Sequence, residues 1–302
     1  AVPFAAGFCI SSLLGLPHET GLIVGLALIQ SSVAIIIRIL EELNMMRLKD
    51  ARTIVNVAIV DDALSLSLLT IVISIVVAQV PLTFGRIAVI FARSLVLWFI
   101  LVVGLAFVIP RVVKRIEPLE KEGMIETAAT VTCFGAAALS VVAGLSPLVG
   151  AFAAGMGLAG SKAIKRVKGY IEKISLIFVP VLFASMGAQM NLGAFFSTGL
   201  ILLIVIVFLV IEVVTKLVGS GLPALYFLKD RGAGMRVGLA MACMGMEGML
   251  VLNIGLSHSM INSDIYTGMM LVSILTTIIT PLALKPLYKR AAVQQSKRNQ
   301  ET

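Results

Sequence analysis

Five charged residues of this 302-residue chain are predicted to lie near the bilayer centre, inside apolar stretches that are long enough to cross a membrane. They are Asp61, Asp62, Glu212, Lys216 and Glu247. A charged side chain near the bilayer centre costs at least about 2.5 to 3.5 kcal/mol, so each one needs a partner, a watery cavity or a function. The chemistry open to such a set is the binding and release of cations and protons.

Asp61, Asp62 and Lys216 are predicted to lie at one depth in the membrane. Asp61 follows Arg52 by nine residues, which at about 1.5 Å per helical residue places it about 14 Å inside the membrane. Lys216 precedes Lys229 by thirteen residues and reaches a comparable depth. Because adjacent helical residues point about 100° apart, the two aspartates cannot face the same partner. We therefore predict that one aspartate pairs with Lys216, while a proton and Na⁺ compete for the oxygens of the other.

A purely structural ion pair that holds helices together is the alternative interpretation of these three residues. A single ion pair between a lysine and one aspartate would fit this structural role well. The second aspartate is what it leaves unexplained, because an excess negative charge is costly where there is little water.

Two helix breaks are predicted at a similar depth. The first break contains the polar residues Gln30, Ser31 and Ser32. The second surrounds Glu247, between Gly245 and Gly248. For each tract alone, serines that bond back to the preceding turn and glycines that permit close packing are an equally good explanation. Two breaks at one depth favour an ion site in which broken helices present carbonyl groups and helix dipoles to an ion.

Glu212 is a further candidate for this site. It lies one helical turn before Lys216, so the two residues form an i, i+4 pair in which Glu212 competes with Asp61 for the lysine.

The composition indicates a polytopic all-α membrane protein. Hydrophobic residues make up 59% of the chain, charged residues make up 13%, and the mean hydropathy is +1.06. Ten apolar segments of membrane-spanning type are predicted. They lie near 2–16, 20–40, 53–78, 87–109, 124–143, 145–160, 170–190, 197–222, 234–256 and 265–287.

The basic residues predict the orientation of these segments. Of the 24 lysines and arginines, 21 fall in every second connection, and only Arg86, Arg93 and Lys216 lie elsewhere. Because basic connections stay on the cytoplasmic side, both visible ends are predicted to be cytoplasmic. The positions of these residues also explain the net charge of +8, so no nucleic-acid partner is predicted.

The three cysteines do not predict a cofactor. Cys9, Cys133 and Cys243 are odd in number and all lie in apolar segments, without disulfide or metal-ligand spacing. No cofactor is expected, and the predicted partners are the lipid bilayer, protons and a monovalent cation.

Six stretches of the sequence match a known family in order. They are IQSSVAIIIRILEELNMM, ARTIVNVAIVDDALSLSLL, GLSPLVGAFAAGMGLAG, VPVLFASMGAQMNL, TKLVGSGLPAL and MRVGLAMACMGMEG. The chain resembles the monovalent cation:proton antiporter-2 family, of the Kef and NapA type, which is related in fold to NhaA.

The resemblance implies about thirteen helices, with two inverted repeats that cross at unwound segments and a separate dimerisation panel. It assigns residues 1–80 to the first core repeat and 81–110 to a linking helix. Residues 111–196 would form the panel, 197–290 the second core repeat and 291–302 a cytoplasmic tail. Independently of the resemblance, the polar composition of the stretch after Tyr288 (KRAAVQQSKRNQET) predicts disorder. About three N-terminal helices of the family are expected to be missing.

The resemblance also implies roles for individual residues. Asp62 would bind the cation, such as Na⁺, and the proton in turn, while Asp61 would pair with the charge-compensating Lys216. Ser31 and Ser32 would stand beside the ion. The tract around Glu247 departs from the family, because many relatives carry Pro-Arg-Gly-Glu where this chain has Cys-Met-Gly-Met-Glu, so the resemblance gives Glu247 no role.

The predicted function is exchange of Na⁺ (or Li⁺) for protons by alternating access, in a homodimer in the plasma membrane. A Kef-type K⁺/H⁺ antiporter is the main alternative, because it would share the fold and the acids. An intramembrane aspartyl protease is a remote alternative, because two membrane aspartates can also catalyse hydrolysis. Such enzymes carry their two acids on facing helices, whereas Asp61 and Asp62 are consecutive on one helix. A scaffold or channel without coupled transport would not require the lysine.

Overall fold

The computed structural model describes residues 2–46, 48–77, 84–116, 123–143, 145, 147–159, 161, 163–191, 193 and 199–300. Every regular element in these ranges is helical, which confirms the all-α class. The helices are α1 (Val2–Leu13), α2 (His18–Ile29), α3 (Val33–Glu42), α4 (Lys49–Val77), α5 (Phe84–Ile116), α6 (Met124–Val142), α7 (Pro147–Ala159), α8 (Ile164–Ala188), α9 (Gly199–Lys216), a π-helical turn (Leu217–Gly221), α10 (Leu222–Leu228), α11 (Arg231–Met241), α12 (Gly245–Ser257) and α13 (Ser263–Gln300).

Seven helical stretches of the described chain are long and apolar enough to cross a membrane. Three shorter apolar helices, α1, α2 and α7, account for the rest of the ten predicted segments. With 12 or 13 residues each, they extend about 18 to 20 Å, less than a hydrocarbon core of about 30 Å. The second predicted segment is thus divided between α2 and α3.

The C-terminal tail differs from its prediction. The last helix continues to Gln300, so the expected disorder is wrong for residues 291–300. The reason lies in its composition, because AAVQQSKRNQ contains good helix formers and no glycine or proline that would end the helix. Three basic residues used for the orientation, Arg47, Lys121 and Lys162, lie outside the described residues.

The described helices form two compact units, of which the first combines Ala1–Ser65 with Ala188–Thr302. Its main apolar cluster joins α3, α4, α11 and α13 through side chains such as Ile36, Ile54, Val237 and Leu284. In the same unit α1 packs closely on α2, because Gly25 has no side chain. A Cβ atom at Gly25 would lie 2.7 Å from the Phe4 carbonyl oxygen.

The second unit comprises Leu66–Gly187. Its apolar cluster joins α5, α6, α7 and α8, and alanines on α6 and α7 let those two helices approach closely. Glu126 on α6 forms an ion pair with Arg166 on α8, with 2.7 Å between Oε1 and Nε. Large apolar side chains on α8, such as Leu176, are exposed, as expected for a helix that faces lipid.

Candidate ion-binding site

The two predicted helix breaks are present, and they contact each other. Residues 30–32 separate α2 from α3, and residues 242–244 separate α11 from α12. The Ser32 backbone N–H donates to the Cys243 carbonyl (2.6 Å), and the Ser31 hydroxyl donates to the Met241 carbonyl (2.8 Å). We call this contact between the two breaks the crossing. Backbone groups freed by one break are thus satisfied by the other, as the membrane interior requires.

Helix α13 completes the second break. The Met244 N–H donates to the Thr276 hydroxyl (3.4 Å), and the Ser273 hydroxyl donates to the Gly245 carbonyl (2.8 Å). Gly245 has a φ of +59°, and a Cβ atom there would lie 2.1 Å from the Ser32 Cβ. Only glycine fits both the left-handed backbone and this close approach.

The Lys216 side chain ends at the crossing. This side chain is 2% exposed. Its ammonium donates to the Ile29 carbonyl, to the Ser31 hydroxyl (2.7 Å) and to the Gln30 carbonyl (3.5 Å). Ile29 is the last residue of α2, so its carbonyl belongs to the helix end that carries partial negative charge. Lys216 is the last residue of α9, immediately before the π-helical turn.

Asp61 is the carboxylate partner of this lysine. Its Oδ2 lies 3.6 Å from the Lys216 Nζ and 3.2 Å from the Ser31 Oγ. The Asp61 side chain is 22% exposed, whereas the lysine is almost fully buried. The predicted pair is therefore present, at a distance typical of a loose ion pair rather than of a short charged hydrogen bond.

Asp62 has a different environment from its neighbour. The residue is half-buried, and its carboxylate has no ion pair or hydrogen bond among the residues that the structure describes. Asp61, Lys216 and Glu247 are the charged groups that act on it electrostatically. The two aspartates are thus divided as predicted from their 100° separation, with one paired and one open.

Gln30 is tied to the helix that carries the aspartates. The Ser65 hydroxyl lies 3.1 Å from the Gln30 Oε1 and 3.1 Å from the Asp62 carbonyl oxygen, so it can donate to either. Gln30 therefore links the first break to α4.

Glu247 lies in the first turn of α12, facing the crossing. Its Oε2 lies 3.2 Å from where a Gly245 Cβ would be, close to Ser32, and has no hydrogen-bond partner in the described chain. Ser32 and Glu247 are therefore neighbours.

Glu212 is fully buried, and neither of its carboxyl oxygens has a hydrogen-bond partner among the described residues. The predicted competition for Lys216 is resolved in favour of Asp61. The ammonium already contacts the end of α2, Ser31 and Asp61, and no hydrogen bond to Glu212 is left.

A second ionic cluster was not predicted. The Arg236 Nε lies 2.5 Å from the Asp50 Oδ2, and the guanidinium lies 5.3 Å from the centre of the Tyr288 ring. Asp230 also belongs to this cluster, with 3.5 Å between its Oδ2 and the Arg236 Nη2. Arg236 is one of the 21 basic residues that the sequence assigns to the connections between segments. That assignment is wrong, because the residue lies inside α11 and is buried. Asp50, a lone acid among Arg47, Lys49 and Arg52, was the available signal.

Comparison with known proteins agrees with this architecture. A family model described as "Sodium/hydrogen exchanger, transmembrane" matches residues 1–290. The Na(+)/H(+)-K(+) antiporter GerN of Bacillus cereus is 30% identical over 98% of this chain and 76% of its own length. The probable Na(+)/H(+) antiporter GerT of the same organism is 31% identical, over 95% of this chain and 75% of the relative. The Na(+)/H(+) antiporter of Enterococcus hirae is 26% identical, over 95% of this chain and 74% of its own length.

These findings confirm the resemblance drawn from the motifs. They also exclude the intramembrane protease, since the relatives are named as antiporters. The chain therefore belongs to the sodium/hydrogen exchanger family and is a multi-pass membrane cation/proton antiporter rather than an enzyme.

Proposed function

We propose that this antiporter exchanges Na⁺ (or Li⁺) for protons by alternating access, and that cation and proton compete at Asp62. The observation that carries the proposal is the unequal environment of the two aspartates. Asp61 is held by Lys216, whereas the Asp62 carboxylate has no protein partner in the described chain and is half-buried. A carboxylate in this situation needs either a proton or a cation.

The charges around Asp62 favour a monovalent cation. Lys216 offsets Asp61, which leaves the Asp62 charge for the ion. Ser31, Ser32 and the backbone carbonyls at the crossing are hard oxygen ligands, suited to an alkali cation. Glu247 and Gln30 are further oxygen donors near the site. Uptake of one ion displaces the other, because both occupy the same carboxylate oxygens.

We further propose that residues 1–80 and 197–290 are the two core repeats, joined by 81–110, and that 111–196 form the dimerisation panel of a homodimer. The grouping of Ala1–Ser65 with Ala188–Thr302 in one compact unit supports a core built from both ends of the chain. We assign the transporter to the plasma membrane with both visible ends cytoplasmic, because of the distribution of basic residues.

The decisive experiment replaces Asp62 with asparagine. Purified protein in proteoliposomes should lose Na⁺-driven proton flux, since asparagine keeps the size of the side chain but carries no exchangeable proton or charge. Asp264→Asn is the matched control, because it makes the same chemical change in the first turn of α13, outside the site. Flux that persists in folded D62N protein would refute the assignment.

Potassium is the second candidate ion. The name of GerN includes K⁺ beside Na⁺, and the oxygen ligands described above do not by themselves separate the two ions. Proton flux should be compared under equal gradients of Li⁺, Na⁺ and K⁺. We expect flux with Na⁺ and Li⁺; flux with K⁺ alone would establish the alternative.

A further inference from the structure

Glu212 is the one carboxyl group near the crossing that the proposed exchange does not use. Its side chain is 0% exposed, and both oxygens lack hydrogen-bond partners in the described chain. The titratable groups that face it are Lys216 on its own helix, Asp61 on α4 and Cys243 in the second break.

An ionised carboxylate in this position would be a buried charge without hydrogen bonds or an ion pair. Such a charge costs several kcal/mol, whereas a neutral carboxylic acid of the same size costs far less. The conformation described here therefore suits Glu212 in its protonated form.

The environment of Glu212 also depends on which partner Lys216 has. When a cation bound at Asp62 also takes the neighbouring Asp61 carboxylate as a ligand, the buried ammonium loses its carboxylate partner and keeps only neutral acceptors at the crossing. Residues four apart on a helix lie about 5 to 6 Å apart at Cβ, so the lysine can reach Glu212 by a change of rotamer.

We propose that Glu212 is an additional proton-carrying group, which ionises when Lys216 turns to it from Asp61. This inference rests on the proposed exchange at the aspartates. While Asp61 holds the cation, Lys216 releases one of its protons to solvent past the partly exposed Asp61 side chain and takes the proton of Glu212. The ammonium therefore ends the step with its original charge, and Glu212 becomes a carboxylate paired with it. In the reverse step the cation leaves Asp61, Lys216 returns to that carboxylate, and Glu212 takes up one proton from solvent by way of the lysine.

The consequence is one proton more per cation than Asp62 alone would move. The test is the coupling ratio, measured in proteoliposomes as the proton gradient at which a fixed Na⁺ gradient drives no net flux. We expect Glu212→Gln to exchange one proton fewer per Na⁺ than the unsubstituted protein. Glu212→Asp, which keeps the carboxyl group, should restore the ratio.

Thr215→Val is the matched control. Thr215 is buried on the same helix and its hydroxyl only bonds back to the Glu212 carbonyl, so the ratio should not change. Glu212→Leu provides a second, apolar test, and it should lower the ratio equally while leaving the protein folded.

An unchanged ratio in folded Glu212→Gln and Glu212→Leu proteins would overturn the inference, and so would a complete loss of exchange, since Asp62 should continue to work. Failure of the proposed function has a different signature, which is flux that persists in D62N protein.

Discussion

The two ionic clusters of the first unit, one around Lys216 and one around Arg236, are built in opposite ways. At Arg236 the ion pair is short (2.5 Å), the Asp50 side chain is 3% exposed, and an aromatic ring covers the guanidinium. At Lys216 the pair is long (3.6 Å), and the Asp61 side chain is 22% exposed. The ammonium also divides its protons among three other acceptors. The first arrangement fixes helices, whereas the second can change partner at little cost.

The position of each cluster agrees with this difference. Arg236 and Asp50 join the middle of α11 to the first turn of α4, beside the apolar cluster that packs these helices together. Lys216 instead lies at the crossing, where its carboxylate partner among the described residues, Asp61, is 3.6 Å away. Arginine offers a planar set of donors that suits a fixed carboxylate, while the flexible lysine stem suits one that must be released.

The largest expected effect is the loss of stability when the carboxylate of each cluster is removed. Asp50→Ala should destabilise the protein by about 3 to 5 kcal/mol, because Arg236 would be left buried with only the more distant Asp230. Asp61→Ala should cost less stability, since Lys216 keeps its contacts with α2 and Ser31, but it should impair exchange more. Melting temperatures in detergent, together with flux per folded protein, would measure both. Equal losses of stability in the two variants would contradict the comparison.

The next effect concerns the backbone that holds the loose cluster in place. Gly245→Ala should reduce exchange by about a hundredfold, as expected when a site shifts by about 1 Å, because the new Cβ would collide with Ser32. Gly104→Ala is the control, since a Cβ atom there meets nothing within 4 Å. Normal Na⁺-driven flux in the Gly245 variant would mean that the crossing tolerates displacement.

The smallest effect tests the aromatic cover of the tight cluster. Tyr288→Phe should leave stability nearly unchanged, because the ring remains and the lost hydroxyl has no hydrogen-bond partner in the described chain. Tyr288→Leu should cost about 0.5 to 2 kcal/mol, the range of a cation–π interaction. Thermal unfolding of the two variants in parallel would decide, and equal melting temperatures would exclude a role for the ring.

The sequence predicted the site better than its surroundings, for a physical reason. Asp61 and Lys216 are so costly in a membrane that depth alone predicted their pairing, and residues 30–32 interrupt an apolar segment visibly. Arg236 was misplaced because an arginine near a membrane edge can extend into water or turn inwards. Only the packing of α4, α11 and α13 decides between the two. The absence of a pair between Glu212 and Lys216 likewise depends on contacts with α2, which helical spacing cannot predict.

The crossing also imposes an order on biosynthesis. The Ser31 hydroxyl donates to a carbonyl 210 residues further along the chain, so the first break is made long before its partner exists. Until α11 enters the membrane, the open groups at residues 30–32 have no partner from the second break, which is unfavourable in lipid. The N-terminal half of the candidate site therefore needs water or other protein to cover it until α11 and α12 are inserted, and only then is the crossing complete.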